Sequence, residues 1–168
     1  MPLHFEDLDV LSEVQGLRSV LIVPCRMCPA VTIAVRENQP FMKIWKSLLE
    51  SQPFERYLEA LQARLKDMAV ESKVFRCRLP YQWFMCMWTE GTRKKLSKEA
   101  RGHDAVIVLG CNSATVTVRD TVESTGCRVI EGMEASGIMN ARLSFTFPGN
   151  ITFRDCKYTP MVRRTTCR

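Results

Sequence analysis

Three short apolar runs, each with a cysteine at or beside its end, constrain the fold of this chain most strongly. They are VLIVPCRMC with Cys25 and Cys28, LPYQWFMC with Cys86, and AVIVLGC with Cys111. Short continuous apolar runs rich in branched side chains are typical of parallel strands that are buried on both faces. Parallel strands that lie side by side end at one edge of their sheet, where open α/β sheets place their binding sites. The sequence therefore predicts four thiols near one edge of a parallel sheet.

The length and composition predict one globular domain. The chain has 168 residues and a mass of 19.3 kDa, with 46% hydrophobic and 25% charged residues, which is enough to bury a core without disulfides. The first residues, MPLHFEDLDVLSEV, are acidic and do not resemble a secretory signal, and no apolar run is long enough to span a membrane. We expect a cytoplasmic protein that makes no membrane contact, in which reduced thiols favour metal binding or redox chemistry.

The order of apolar patterns predicts an α/β fold with a mainly parallel, Rossmann-like sheet, helices on both faces and a C-terminal β-hairpin at one edge. The predicted strands are 18–24, 73–79, 105–110 and 127–132, and the predicted helices are 39–50, 52–69, one beginning at Thr89, and 113–122. Alternating segments around Pro148-Gly149-Asn150 predict the hairpin. The single domain, 1–168, then divides into a cysteine-bearing core (18–140), a hairpin (141–156) and a basic tail (157–168).

Two similar start signals support the helices at 39–50 and 52–69. Asn38-Gln39-Pro40-Phe41 and Ser51-Gln52-Pro53-Phe54 each place a capping residue two positions before a proline, and proline is tolerated in the first helical turn. Apolar side chains then recur at three- and four-residue steps in both segments. We expect the two resulting stripes to pack in the core; the alternative is that this pair of helices forms a docking surface.

The net charge of +6 raises the question of a nucleic-acid partner. The basic residues form two clusters: Arg93, Lys94, Lys95, Lys98 and Arg101, and Lys157, Arg163, Arg164 and Arg168. Neither cluster has interleaved aromatic residues or a groove-reading motif, which favours a solvated helix face and a charged tail. We do not expect nucleic-acid binding.

The motif Cys25-x-x-Cys28 has two physical interpretations. In a thioredoxin-type redox enzyme, the first thiol lies at a helix amino terminus that lowers its pKa, and the second resolves the mixed disulfide. In a metal site, the same spacing lets one turn of backbone supply two thiolates to a tetrahedral ion. The motif alone does not decide between them.

Cys86 and Cys111 favour the metal interpretation, because both are predicted at equivalent positions on the same sheet edge. Four thiolates would complete a structural zinc site, three would leave an open position, and the same four residues could hold an iron–sulfur cluster. Ordinary buried cysteines remain the alternative. Cys77 is expected to be a buried hydrophobe within its strand, and His4 and His103 are expected to be solvated rather than ligands. The sequence assigns no role to Cys127, Cys156 and Cys167.

The order of these motifs resembles a known family. A strand ending in C-x-x-C, a later cysteine before a charged helix, the run DAVIVLGCNSATVTV and a short strand VIEGME resemble the zinc-binding small subunit, or C-terminal domain, associated with bacterial methylenetetrahydrofolate reductase. The resemblance covers roughly residues 18 to 140. It implies that Cys25, Cys28, Cys86 and Cys111 are metal ligands and that the protein acts beside a folate- or corrinoid-dependent methyl-transfer enzyme.

Two functions are therefore expected from the sequence. The first is a zinc-binding accessory protein of one-carbon metabolism, with a methyltransferase or reductase subunit as its protein partner. The second is a thiol-dependent redox enzyme in which Cys25 is the nucleophile and Cys28 the resolving thiol. The two differ in the pKa of Cys25, which the redox function requires to be lowered.

Overall fold

A computed structural model describes residues 2–43, 51–77, 84–147 and 149–161 of the chain. The elements in chain order are β1 (Leu3–Asp7), α1 (Val10–Glu13), β2 (Ser19–Pro24), α2 (Cys28–Arg36), β3 (Met42–Lys43), α3 (Gln52–Asp67), β4 (Glu71–Val74), a 3₁₀ turn (Met85–Met87), α4 (Glu90–Ala100), β5 (Ala105–Leu109), α5 (Asn112–Val122), a second 3₁₀ turn (Glu123–Thr125), β6 (Arg128–Glu131), β7 (Met133–Thr146) and β8 (Asn150–Pro160). No helix in these ranges is both long enough and apolar enough to cross a membrane.

Four strands form a parallel sheet in the order β4-β2-β5-β6. The two central strands run in register, from Val20 beside Ala105 to Pro24 beside Leu109. Every residue of β5 and all but the first residue of β2 are buried. This double-sided burial explains why their sequences are continuously apolar instead of alternating.

Helices cover both faces of the parallel sheet. Ile22 and Ile107 belong to one apolar core with side chains of α2 and α3. Leu21 and Val106 point the other way and belong to a second core with side chains of α4 and α5. The α/β class is therefore confirmed.

Two helices begin where the sequence predicts, at Thr89 and after Ser51. Thr89 caps α4 through its hydroxyl, which accepts a hydrogen bond from the Thr92 N–H. Ser51 precedes α3, which has Pro53 in its first turn. The buried face of α3 includes Phe54, Leu58 and Leu65, which confirms the apolar stripe expected from 52 to 69.

The hairpin forms part of a second sheet, so the prediction of one mainly parallel Rossmann-like sheet with the hairpin at its edge is wrong. The antiparallel order is β1-β7-β8-β3, and the hairpin spans 133–160 instead of 141–156. β1 was not predicted, because a five-residue acidic segment acquires its strand conformation only by pairing with β7. The side chain of Phe5 in β1 is fully buried in the core shared with α2 and α3.

The expected helix at 39–50 is wrong at its start. Phe41 N–H donates to the Ile151 carbonyl at 2.8 Å, and Met42 and Lys43 form β3 beside β8. The apolar spacing is compatible with either conformation, and pairing with a distant strand decides the outcome. Residues 44–50 lie outside the described ranges.

Two smaller expectations also need correction. β4 ends at Val74, so Cys77 lies after the strand and not inside it, although it is buried as expected. His4 is half-buried and not solvated, since its Nδ1 lies 3.0 Å from Ser136 Oγ and its ring packs 4.7 Å from that of Tyr158.

Candidate functional site

The parallel sheet has a topological switch point between β2 and β5. After β2 the chain moves to β4 on one side, and β5 and β6 then follow on the other side. The connections leave the two central strands in opposite directions. In open α/β sheets this position, outside the carboxyl ends of the strands, is that of the ligand-binding crevice.

Cys25 and Cys111 lie on either side of this crevice. Cys25 N–H donates to the Leu109 carbonyl at 2.8 Å, which continues the pairing of β2 with β5. Cys111 is the capping residue of α5. The intervening Gly110 is closely packed, because a Cβ there would lie 3.3 Å from Cys25 Cβ and 2.7 Å from Ala114 Cβ. Glycine therefore allows the loop after β5 to approach the loop after β2.

Cys28 lies in α2 and Cys86 in the first 3₁₀ turn, so Cys86 does not follow a strand end directly, although the sequence predicts that it does. Cys28 is the first residue of α2 and is half-buried, and the backbone of Leu3 forms a hydrogen bond with its thiol. Cys86 is exposed in the turn Met85–Met87, and the backbone of Met85 forms a hydrogen bond with the Cys25 thiol.

The pKa values of Cys25 and Cys28 are influenced by others of the four cysteines. Burial raises the pKa of Cys25 to about 11, hydrogen bonds from the Met85 and Met27 backbone oppose this, and the charges of Cys28 and Cys111 raise it further. Burial also raises the pKa of Cys28, the Leu3 backbone opposes this, and the charges of Cys111 and Cys86 add to the rise. Thiolates raise the pKa of one another only when they lie near one another.

The donor chemistry suits zinc, but the side chains are not arranged as a finished metal centre. Four thiols are the ligand set of many structural zinc sites. Among the residues that the structure describes, however, no three His, Cys, Asp or Glu side chains are grouped so that they could hold a metal ion. A zinc ion would require the thiols to turn towards a common point about 2.3 Å from each sulfur.

The pKa of Cys25 is raised, whereas the nucleophilic thiol of a redox enzyme has a lowered pKa. A thioredoxin-type enzyme needs a lowered pKa so that the first thiol is ionised near neutral pH, whereas burial keeps the Cys25 thiol protonated there. The start of α2 does not reverse this effect of burial. None of the seven cysteines in the described ranges, Cys25 and Cys28 included, forms a disulfide.

The cysteines outside the group occupy different surroundings. Cys127 lies at the opposite end of the parallel sheet, where its thiol donates to the His103 carbonyl at 3.3 Å. Cys156 is exposed on β8. Cys77 is buried after β4. Cys167 lies outside the described residues.

A charged cluster centred on the buried Arg26 was not predicted from the sequence. Arg26, within the C-x-x-C motif, is only 4% exposed and is ion-paired with Glu55 of α3, which also pairs with Arg76 at 3.0 Å. A sequence signal existed, since an arginine between two cysteines at the end of a buried strand is an unusual place for a charge. This signal does not indicate that the partner of Arg26 is Glu55, 29 residues away in sequence.

Comparisons with protein-family models, with curated proteins and with solved structures give no match to this chain.

Proposed function

We propose that this chain is a zinc-binding accessory protein whose ligands are Cys25, Cys28, Cys86 and Cys111. The observation that supports the proposal is that Cys25 and Cys28 each have a pKa raised in part by others of these four cysteines, at the carboxyl ends of β2 and β5. The group draws on the loop after β2, the loop after β5 and the turn before α4. Cysteines in different segments are 25 to 86 residues apart in sequence, so any proximity between them depends on the fold and not on local spacing.

Burial of the thiols is compatible with this function. Without a cation, burial favours neutral thiols and raises the pKa of Cys25 and Cys28. A bound zinc ion reverses this preference, because its charge stabilises the thiolates directly and the thiol protons are released on binding. The ion would link the three segments and so order the surface at the carboxyl edge of the sheet. An iron–sulfur cluster would use the same ligands and is distinguished by its iron content and colour.

The proposed partner is a methyltransferase or methylenetetrahydrofolate reductase subunit of one-carbon metabolism, in the cytoplasm. This part of the proposal rests on the resemblance of residues 18 to 140 to the zinc-binding subunit of that system. Co-purification of the chain with such a subunit would support it. Failure of the two purified proteins to associate in the presence of zinc would remove this part and leave the metal site unaffected.

Metal analysis of the purified chain tests the site. Protein prepared under reducing conditions, supplied with zinc and freed of excess ion should retain about one zinc per chain. Cys25→Ser and Cys111→Ser should each lose most of it. Cys127→Ser is the matched control, since it also replaces a half-buried thiol but does so at the opposite end of the sheet.

The outcome that contradicts the proposal is equally direct. Less than about one tenth of an equivalent of metal in the wild-type protein would leave no zinc site to explain. Equal retention by Cys25→Ser and Cys127→Ser would show that zinc binds elsewhere.

A further inference from the structure

Two residues linked to the first turn of α3 through Glu55 carry three buried polar atoms without a hydrogen-bond partner. They are Nε and Nη2 of Arg26 and Oγ of Ser51, and they are all the unpartnered buried side-chain nitrogen and oxygen atoms among the residues described. Both residues are almost fully enclosed, at 4% and 5% exposure. Buried polar groups nearly always have partners, so two such residues at one place need a physical explanation.

The fold brings the two residues to the same helix turn. Arg26 Nη1 donates to Glu55 Oε1, which places the guanidinium against the start of α3. Glu55 N–H in turn donates to the Ser51 carbonyl at 3.0 Å in the first turn of this helix. Ser51 precedes the 16-residue helix but forms no side-chain capping bond, which leaves its hydroxyl available.

The unpartnered guanidinium atoms form a bidentate edge. The hydrogens on Nε and Nη2 of an arginine point in the same direction, and this fork matches two oxygens of a carboxylate or phosphate group. Glu55 occupies only the remaining nitrogen, Nη1. The ion pair with Glu55 therefore fixes the orientation of this edge, and the N–H groups of Nε and Nη2 on it have no hydrogen-bond partner.

The local charge favours an anion. Arg26 and Arg76 both pair with the carboxylate of Glu55. Lys95 lies close as well, since its Nζ donates to the Arg76 carbonyl at 2.6 Å, and it also pairs with Glu99 at 3.8 Å. The amino terminus of α3 adds a partial positive charge and favours negative ligands.

We propose that Arg26 and Ser51 bind a small oxyanion, with two oxygens on the Nε and Nη2 edge of Arg26 and a third on the Ser51 hydroxyl. The ligand is a phosphate or a carboxylate, free or as the terminal group of a larger molecule. Because Arg26 lies between Cys25 and Cys28, such a ligand binds next to the thiol group. The oxyanion site does not depend on zinc, so a negative metal analysis leaves it intact.

Ligand-dependent unfolding of the full chain tests this proposal. Inorganic phosphate and acetate are compared with chloride at equal ionic strength, and at least one of the two should raise the unfolding temperature in a saturable manner. Preference for phosphate would identify a tetrahedral ligand, and preference for acetate a carboxylate. No saturable stabilisation by either anion up to about 50 mM would overturn the proposal.

Conservative variants assign the effect to the site. Arg26→Lys keeps the positive charge beside Glu55 but removes the fork, and it should weaken anion binding about tenfold. Ser51→Ala removes only the hydroxyl and should weaken it about fivefold. Arg36→Lys is the matched control, because the Arg36 guanidinium already bonds Asp7 and the Phe5 carbonyl, and its affinity should be unchanged.

Two further results would overturn the proposal. One is unchanged anion affinity in both Arg26→Lys and Ser51→Ala. The other applies even if Arg26→Lys fails to fold: a crystal of the wild-type protein grown with phosphate or acetate that shows only water along the Arg26 edge.

Discussion

The buried thiol of Cys25 should make the folded chain sensitive to alkaline pH. Its pKa is raised from 9.0 to about 11 mainly by burial, so the folded state holds this proton more tightly than the unfolded state. The resulting stabilisation is fully present below pH 9 and is lost as the pH rises through about 11. A pKa difference of this size corresponds to about 3 kcal/mol of unfolding free energy.

Cys25→Ala removes this pH-dependent contribution. The variant loses some packing as well, but that loss does not vary with pH. The free energy of unfolding in urea, measured with reductant and chelator from about pH 8 to pH 11, should therefore fall less steeply in Cys25→Ala than in the wild-type protein. Cys86→Ala, which replaces an exposed thiol, should leave the steep wild-type dependence in place.

The test compares how the unfolding free energies of the wild-type protein and Cys25→Ala vary with pH. Convergence of the wild-type and Cys25→Ala curves by about 2 to 3 kcal/mol between pH 9 and 11 is the expected result. Parallel curves across this range would refute the reasoning, because the thiol would then ionise equally in the folded and unfolded states.

Further predictions concern packing and acid stability. Gly110→Ala should destabilise the fold by about 1 to 3 kcal/mol in thermal or urea unfolding, since its Cβ would lie 2.7 Å from that of Ala114. The control is Gly91→Ala, at an exposed helical position with no atom nearer than 3.9 Å, and it should be neutral or stabilising. Equal losses of stability in the two variants would contradict the packing argument. Phe54→Ala removes a fully buried ring and should cost about 3 to 5 kcal/mol in urea unfolding, so a loss below about 1 kcal/mol would place the ring outside the core. The carboxylate of Asp104 accepts two backbone N–H bonds at the start of β2, and these lower its pKa. Its stabilisation is therefore present above its ordinary pKa of 3.8 and lost as the pH falls, and Asp104→Asn should show a flatter decline of the unfolding temperature in acid; identical acid profiles would be the contrary result.

The parallel sheet could be predicted because its signals are local. The runs around Ile22 and Ile107 are apolar at every position, and only strands covered on both faces require this pattern. The start of α3 after Ser51 could be predicted from the Ser51-Gln52-Pro53 signal, because such a signal and the first helical turn are neighbours in sequence.

The antiparallel sheet could not be predicted in full because its pairing is distant. β1 is short and acidic, and it becomes a strand beside β7, about 130 residues later. Phe41 fits a helical stripe and instead pairs with Ile151. In both cases a tertiary contact outweighs the local pattern.

In the candidate site, too, the features set by local sequence could be predicted and those set by distant contacts could not. The positions of Cys25 and Cys111 at adjacent strand ends followed from the sequence, since each cysteine terminates a buried strand. The directions of their side chains did not follow, because they depend on how the loops pack around Gly110. The ion pair of Arg26 with Glu55 was missed because it joins α3 to the loop after β2.

X-ray absorption spectroscopy at the zinc edge gives the most direct test of the proposed metal site. Zinc-loaded protein should show a shell of three to four sulfur atoms at about 2.3 Å, and Cys111→Ser should lose one of them. The account would be contradicted by a shell made only of nitrogen and oxygen atoms at about 2.0 to 2.2 Å, or by a wild-type sulfur shell that persists unchanged in Cys111→Ser.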